Sequence, residues 1–272
     1  MLIGVVSLPP QTDQLKYSQA NDWFGSPSRP LPNREIISNY PPILTYTPSK
    51  WRKIARGIVE FIRILIPQSI ILSLSIFFIA YADDLLFEHK WTQIFLYFPL
   101  YYIGVVAIPC FICAWLIKWI FIGRYQPAQY PMWTWEVWKT EAVTSIYEAL
   151  SVPFFLEFMR GTPFLPIFLR FMGVKIGKMT YIDSTDFTEF DLVELGDYSA
   201  INFDAGPQTH LFEDRIMKIG AIRIGKNTSI GARTVILFDT EIGNSCRLGA
   251  LSLVMKGEKI PSNTSWSGIP IK

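Results

Sequence analysis

Histidine and cysteine are scarce in this chain, which has two of the first and three of the second in 272 residues. Cys110, Cys113 and Cys246 are too few and too scattered for a disulfide framework. The stretch CFIC at 110–113 has CxxC spacing, but it lies in an apolar run away from any βαβ pattern. It reads as small lipid-facing residues and not as a redox motif. His89 and His210 cannot supply a three-histidine zinc centre from one subunit, so no metal is expected. A strong charge is missing too, the formal net charge being +2. With no basic stripe, RNA-binding signature or zinc-finger spacing, nucleic acid is not an expected partner. The N-terminus lacks the apolar core, roughly 7–15 residues long, of a cleavable signal peptide.

Charge is absent altogether from residues 64–82 and 91–117. As helices, both runs are long enough to cross a hydrocarbon core of about 30 Å, which takes about 20 residues. A buried helix of a soluble protein would read the same way. Two such runs joined by a short polar link from Asp83 to Lys90 point instead to a membrane hairpin. Lys50, Arg52, Lys53 and Arg56 precede the first run, and Lys118 and Arg124 follow the second. The positive-inside rule then places both termini in the cytosol.

Around the hairpin, assigned to 50–132, the composition changes twice. Prolines crowd residues 1–49, which read as an irregular Pro-rich arm. In 133–173, Trp133, Trp135 and Trp138 cluster, and large apolar residues alternate with isolated Lys139, Glu157, Arg160 and Arg170. This pattern predicts interfacial amphipathic helices on the membrane surface, with a plain core element as the alternative.

From Ile176 the period is six. Ile224, Ile230, Ile236, Ile242, Leu248, Val254 and Ile260 head consecutive hexapeptides, and Ile176, Ile182, Leu195 and Ile201 head an earlier set with one residue gained between 182 and 195. Neither a helix nor an ordinary strand has that period; hexapeptide repeats signal a parallel β-helix with the leading residue pointing inward. Each coil needs neighbours to cover its open core. The β-helix is assigned to 174–272, so the fold class is mixed, a transmembrane helical hairpin and interfacial helices followed by the β-helix. The repeat breaks at DAGPQTHLFEDRIMKIG, 204–220, where His210 sits among Asp204, Glu213, Asp214 and Arg215.

These repeats, and the ending IPSNTSWSGIPIK at 260–272, resemble the hexapeptide-repeat acyltransferases, which implies a left-handed β-helix and a homotrimer. Ile271 stands where that closing turn commonly has alanine. A narrower resemblance covers about 220 residues. It is carried by DWFGSPSRPLPNRE (22–35), IGRYQPAQYPMWTWEVWKTE (122–141), GTPFLP (161–166), DSTDFTEFDLVELGD (183–197), DAGPQTHLFEDRIMK (204–218) and LSLVMKGE (251–258). These stretches are similar to the membrane-bound terminal module of ε-poly-lysine-synthetase-type nonribosomal peptide synthetases. The family typically has an adenylation domain, a carrier domain and tandem copies of this module, whereas one copy is present here. Either a homotrimer replaces the tandem copies or the chain is a piece of a longer protein.

The resemblance implies acyl or aminoacyl transfer to an amine acceptor such as an amino acid, forming an amide or isopeptide bond. The donor would be a phosphopantetheine thioester on a carrier protein, with acyl-CoA as the alternative and no permanently bound cofactor. Histidine suits a general base because its ordinary pKa of about 6.5 lies near working pH. His210 is therefore the candidate base, with Glu213, Asp214, Asp204 or Glu189 to orient it. A satisfied structural histidine is the plain alternative. Asp183, Asp186, Glu189, Asp191, Glu194 and Asp197 come without an intervening Lys or Arg. They read as acidic surface turns or as a receptor for a cationic acceptor. Asp186, Glu189 and Asp191, with Asn202, Gln208 and Thr209, are the candidate substrate-binding residues. A zinc site like that of γ-type carbonic anhydrases is disfavoured by the histidine count. Sequons at Asn227 and Asn263 fall on the cytosolic side and are discounted. A coenzyme A-dependent acetyltransferase and a non-catalytic trimeric membrane scaffold are the other functional readings.

Overall fold

In a computed structural model of the protein, Ile224, Ile230 and Ile236 lie on three different faces of a left-handed parallel β-helix. The structure describes residues 2–3, 22–24, 29–30, 40–88 and 90–272. They fall into two compact units: residues 1–41, 126–129 and 161–272, and residues 42–125 and 130–160.

The first face stacks β5 (Lys175–Ile176), β7 (Val193–Leu195), β12 (Ile222–Ile224), β15 (Thr240–Ile242) and β18 (Lys259–Ile260). The second stacks β6 (Tyr181–Ile182), β8 (Ala200–Ile201), β13 (Ser229–Ile230), β16 (Arg247–Leu248) and β19 (Ser265–Trp266). The third has three strands, β9 (Gly206–Gln208), β14 (Val235–Leu237) and β17 (Leu253–Val254). Register aligns the leading residues: Ile176, Leu195, Ile224, Ile242 and Ile260 form one ladder, and Ile182, Ile201, Ile230 and Leu248 another. Ile224, Ile230, Ile236, Ile242, Leu248, Val254 and Ile260 are all buried. Burying each such side chain stabilises by about 1.5–3 kcal/mol.

Corners turn on residues held at positive φ. Met179, Tyr198, Asn227, Ser245 and Asn263 stack at one corner with φ between 52° and 63°. Inside the turns, Thr228, Thr234 and Cys246 donate to the carbonyls of Gly243, Gly249 and Pro261 in the next coil. Cys246 thus fills a threonine-like place, buried and free of any disulfide.

Three helices of the other unit are long and apolar enough to cross a membrane. Helix α1 is Lys50–Phe87, α2 is Trp91–Phe121 and α3 is Trp135–Met159. The sequence reading counted two, because Pro153 and scattered charges interrupt the third. The helix continues through Pro153 by widening to π geometry over Tyr147–Leu156, as α2 does over Tyr102–Ala107. Asp83 and Asp84 belong to the end of α1, so the link is shorter than expected, and His89 lies outside the described residues. Cys110 is buried, not lipid-facing, and its carbonyl accepts from Ser151 Oγ at 3.3 Å. At the other end of the bundle, Arg56 joins Glu60 to Glu141, and Arg52 Nη1 donates to Trp133 O at 2.6 Å. Most of the arm expected to be irregular lies outside the described residues; of those described, β1 (Leu2–Ile3), β2 (Asp22–Phe24) and β3 (Arg29–Pro30) form a three-stranded sheet, and Pro42–Thr45 is a short helix.

Candidate active site

Two residues separate β14 from β15, but thirteen separate β9 from β12. The added segment is an antiparallel hairpin, β10 (His210–Glu213) and β11 (Ile216–Ile219). Asp214 and Arg215 make its turn with φ of 49° and 62°. Its neck is closed by Gly220 N–H donating to Thr209 O at 2.9 Å. A strand at Ala128–Pro131, β4, adds to its β11 edge.

One coil earlier the third face is interrupted too. Among the described residues no strand pairs with β9 on that side; residues 183–192 run as a loop ending in a single turn of 3-10 helix, Phe190–Leu192. The two interruptions meet. His210 Nδ1 lies 2.9 Å from Glu189 Oε2. Thr188 Oγ1 and Thr209 Oγ1 reach the same oxygen at 2.8 and 2.5 Å, and Glu189 N–H donates back to Thr209 Oγ1 at 3.3 Å. Glu189 and Thr209 are both wholly buried, whereas the His210 side chain keeps 21% of its exposure.

Electrostatics then fix the tautomer. Burial opposes ionisation of Glu189, but the hydrogen bonds and charge of His210 and the hydroxyls of Thr209 and Thr188 outweigh it, holding the carboxyl below the usual range. An ionised carboxylate only accepts, so Nδ1 of His210 carries the proton that points at Glu189. In the neutral ring Nε2 is then the nitrogen able to take a proton. This is the orienting arrangement of a histidine–carboxylate pair in triad logic.

Beside the pair, Gln208 Nε2 donates to Asp186 Oδ2 at 3.2 Å. A Cβ at Gly206 would collide with that same oxygen, so glycine is needed to seat Asp186 there. Asp186 is exposed by surface area, yet the protein around it strips part of its water and raises its pKa. Gln208 and His210 pull the other way, and Asp204 adds to the rise.

The other sequence-based candidates separate from His210 for physical reasons. Glu213 stands three residues along the same strand, hence on its opposite face and about 10 Å away. Its carboxylate is held by Lys256 Nζ at 2.6 and 2.7 Å and by Lys218 Nζ at 2.9 Å. Asp214 belongs to the hairpin turn. Asp204 sits at a coil corner with φ of 50°, 3.9 Å from Arg233 Nε. Asn202 Nδ2 donates to Ile230 O at 2.6 Å, which ties it to the next coil. Asp191 lies in the 3-10 turn. Glu189 and Thr209, expected to touch substrate, are enclosed behind His210 instead. Sequence reasoning missed Thr188, Lys218 and Lys256. All three lie in stretches that carried the resemblance, which was the available signal.

Along its whole length the chain finds a relative. It is 44% identical over 274 aligned residues, 99% of this chain, to the delta-poly-L-ornithine synthetase of Acinetobacter baumannii (strain AB307-0294). The chain is a homologue of one segment of a poly-amino-acid synthetase. It spans 20% of that relative's length. No family model matches the chain. Among solved structures, a maltose O-acetyltransferase from Clostridium difficile 630 is 25% identical with a TM-score of 0.33, covering 37% of this chain and 57% of its own. The hexapeptide-repeat acetyltransferase VCA0836 from Vibrio cholerae is 21% identical with a TM-score of 0.32, covering 37% and 61%.

Proposed function

We propose that the protein is a membrane-anchored acyltransferase that joins a thioester-bound aminoacyl group to an amine acceptor. The observation that carries this reading is the His210–Glu189 pair, backed by two buried threonines and flanked by the Asp186–Gln208 contact. The 44% identity to a synthetase named for an ornithine polymer supports a diamino acid as acceptor.

In this mechanism the acceptor nitrogen attacks the thioester carbonyl while His210 Nε2 takes its proton. The imidazolium so formed is stabilised by ionised Glu189. The C–S bond breaks as the C–N bond is completed, and His210 returns the proton to the leaving sulfur. Asp186 receives the acceptor's second, cationic nitrogen. The donor arrives as a phosphopantetheine thioester on a carrier protein. A shallow groove of about 550 Å³ lined by Ser229, Gly249, Ser265, Arg247 and Trp266 runs along the second face of the β-helix, away from His210 on the same chain. A homotrimer would place such a groove between neighbouring β-helices.

The helical unit supports the expected topology. Helix α3 ends against the middle of α2: Tyr102 Oη donates to Phe154 O at 2.8 Å, and the Phe158 ring meets Tyr102 edge-on at 6.3 Å. Tyr102 is eleven residues from the start of α2 at Trp91, so α3 enters the bilayer without crossing it. Both termini and the β-helix then share the cytosolic side. Labelling of single cysteines in intact cells checks this: a probe at Glu88 should react from outside and one at Lys259 should not, and the reverse pattern would overturn it.

The purified chain in lipid vesicles should release thiol from an ornithyl- or lysyl-pantetheine thioester only when a diamino acid is present. Asp186→Asn should raise the acceptor's half-saturating concentration about tenfold, one lost charge-assisted contact. Turnover with acetyl-CoA and not with the aminoacyl thioester would establish the coenzyme A-dependent acetyltransferase instead. No turnover with either, in the presence of the cognate carrier protein, would favour the scaffold.

A further inference from the structure

Helix α4, Leu165–Met172, packs against the first coil of the β-helix. Its inner face is Leu165, Leu169 and Met172, all completely buried. The opposite arc carries Phe164, Ile167 and Phe171, exposed by 59%, 44% and 55%, with Phe168 between them. The helix ends at Gly173, whose φ of 118° forms a left-handed cap and turns the chain into β5. A helix on the outside of a soluble domain should present charge on its outer face. Here the helix's only charged residue is Arg170, exposed at the edge of that arc and bound to the neighbouring coil. Its Nε and Nη2 donate to Ile176 O at 3.2 and 3.1 Å, and Nη2 also donates to Gly177 O at 2.6 Å. The guanidinium is drawn to the coil edge, so Phe164, Ile167, Phe168 and Phe171 form an arc without a charged side chain. An exposed arc of that composition calls for an apolar medium against it.

We propose that the outer face of α4 rests in the headgroup–acyl boundary of a bilayer, docking the β-helix unit to the membrane surface independently of the spanning helices. Three observations select a bilayer as occupant. Only five residues separate α4 in sequence from α3, a helix long and apolar enough to enter a membrane. The exposed arc is dominated by phenylalanine, and the adjoining coil adds exposed Met179 and Tyr181, a composition that suits the interface. Exposed Lys175 and Lys178 follow the helix, where they meet anionic headgroups. This narrows the interfacial region expected from the sequence over 133–173 to one short helix. The docking does not rest on the catalytic reading.

The test places a nitroxide at Ile167→Cys, Phe171→Cys and, as an aqueous control, Lys259→Cys, in the full chain freed of its native cysteines. The chain is reconstituted in vesicles of phosphatidylcholine with phosphatidylglycerol. The ratio of collision with oxygen to collision with a water-soluble nickel chelate should be several-fold higher at 167 and 171 than at 259. Equal ratios would overturn the proposal, and so would protection of 167 and 171 from both reagents, which would mean that a second copy or another protein covers the face. Should the labelled variants misfold, a carbene probe confined to the lipid phase, photolysed with the unaltered chain, should modify residues 164–171; no label there overturns the proposal as well.

Discussion

The regular coils and the projecting hairpin are built from the same chain segment by opposite rules. In the coils from Ile222 onward the leading positions from Ile224 to Ile260 are buried aliphatics, and the corners repeat one positive-φ solution. In the hairpin and the loop beneath it, polar side chains are buried and ionised. The difference shows where this fold has room for chemistry. A flat β-helix wall stacks identical positions, so any polar group there is tied to the next coil, as Thr228 and Asn202 are. Two stacked departures from the repeat create an enclosed corner in which a histidine and a carboxylate can face each other. The hairpin itself repeats the contrast, with one carboxylate behind a histidine and another between two lysines. Glu189 is positioned for proton traffic, whereas Glu213 pins the hairpin to the coils through Lys256.

Removing the base should give the largest effect. His210→Ala is expected to lower acyl transfer by about 10²–10⁴-fold, the usual worth of general acid–base catalysis, and to lower the melting temperature, because buried Glu189 loses its main partner. Steady-state kinetics alongside a melting curve in detergent checks both halves. Intact turnover in the variant would remove the catalytic role of the interruption.

The pair behind it should come next. Glu189→Gln is expected to cost about 10–100-fold in kcat with KM little changed, because the amide cannot stabilise the imidazolium. Thr209→Val, which leaves Glu189 short of one donor, should lose about tenfold, equivalent to about 1.4 kcal/mol, while Thr209→Ser should restore activity. Equal activity of the valine and serine variants would show that Thr209 only fills space.

Glu213→Gln should disturb the anchor and not the chemistry. Stripping two lysines of their shared carboxylate costs about 1–3 kcal/mol. Burial pushes the Glu213 carboxyl up, but Lys256 and Lys218 outweigh it and hold it below its ordinary value of 4.5. Its contribution is therefore complete above that value and fades as pH falls through the depressed pKa. The melting-temperature gap between the native chain and the variant should be widest near neutral pH and close in acid. A gap that stayed constant would mean that the ion pairs contribute nothing.

Much of this contrast could be read from the residues. The aliphatic ladder was legible because a six-residue period has one structural meaning and each leading residue must face inward. The hairpin was legible as a break, and His210 as its chemistry. What the sequence left open was the partner, among Glu213, Asp214, Asp204 and Glu189. Glu213 is three residues from His210 but on the other side of a strand, whereas Glu189 is brought beneath it by a full coil, roughly the spacing from Ile224 to Ile242. A one-residue gain between 182 and 195 marked the first interruption but not its depth. Helices were expected over 133–173 as interfacial elements; a π-widened turn carries α3 unbroken through Pro153 to a length sufficient to cross a membrane.

The smallest effect belongs to the regular wall. Asn227 holds a left-handed corner with φ of 55°, where asparagine is tolerated and most residues are not. Its N–H donates to Asp197 O at 2.9 Å, a bond that any residue except proline can keep. Asn227→Ala should therefore cost about 1 kcal/mol, from backbone strain alone. Asn227→Gly, with no Cβ, should lose less. Neither change should alter acyl transfer, because the corner is on a different edge of the coil from β9 and His210. Melting curves and turnover of the two variants check this together. A loss of activity in Asn227→Ala out of proportion to its stability would show that the coils transmit strain to the hairpin, and the separation between wall and site would fail.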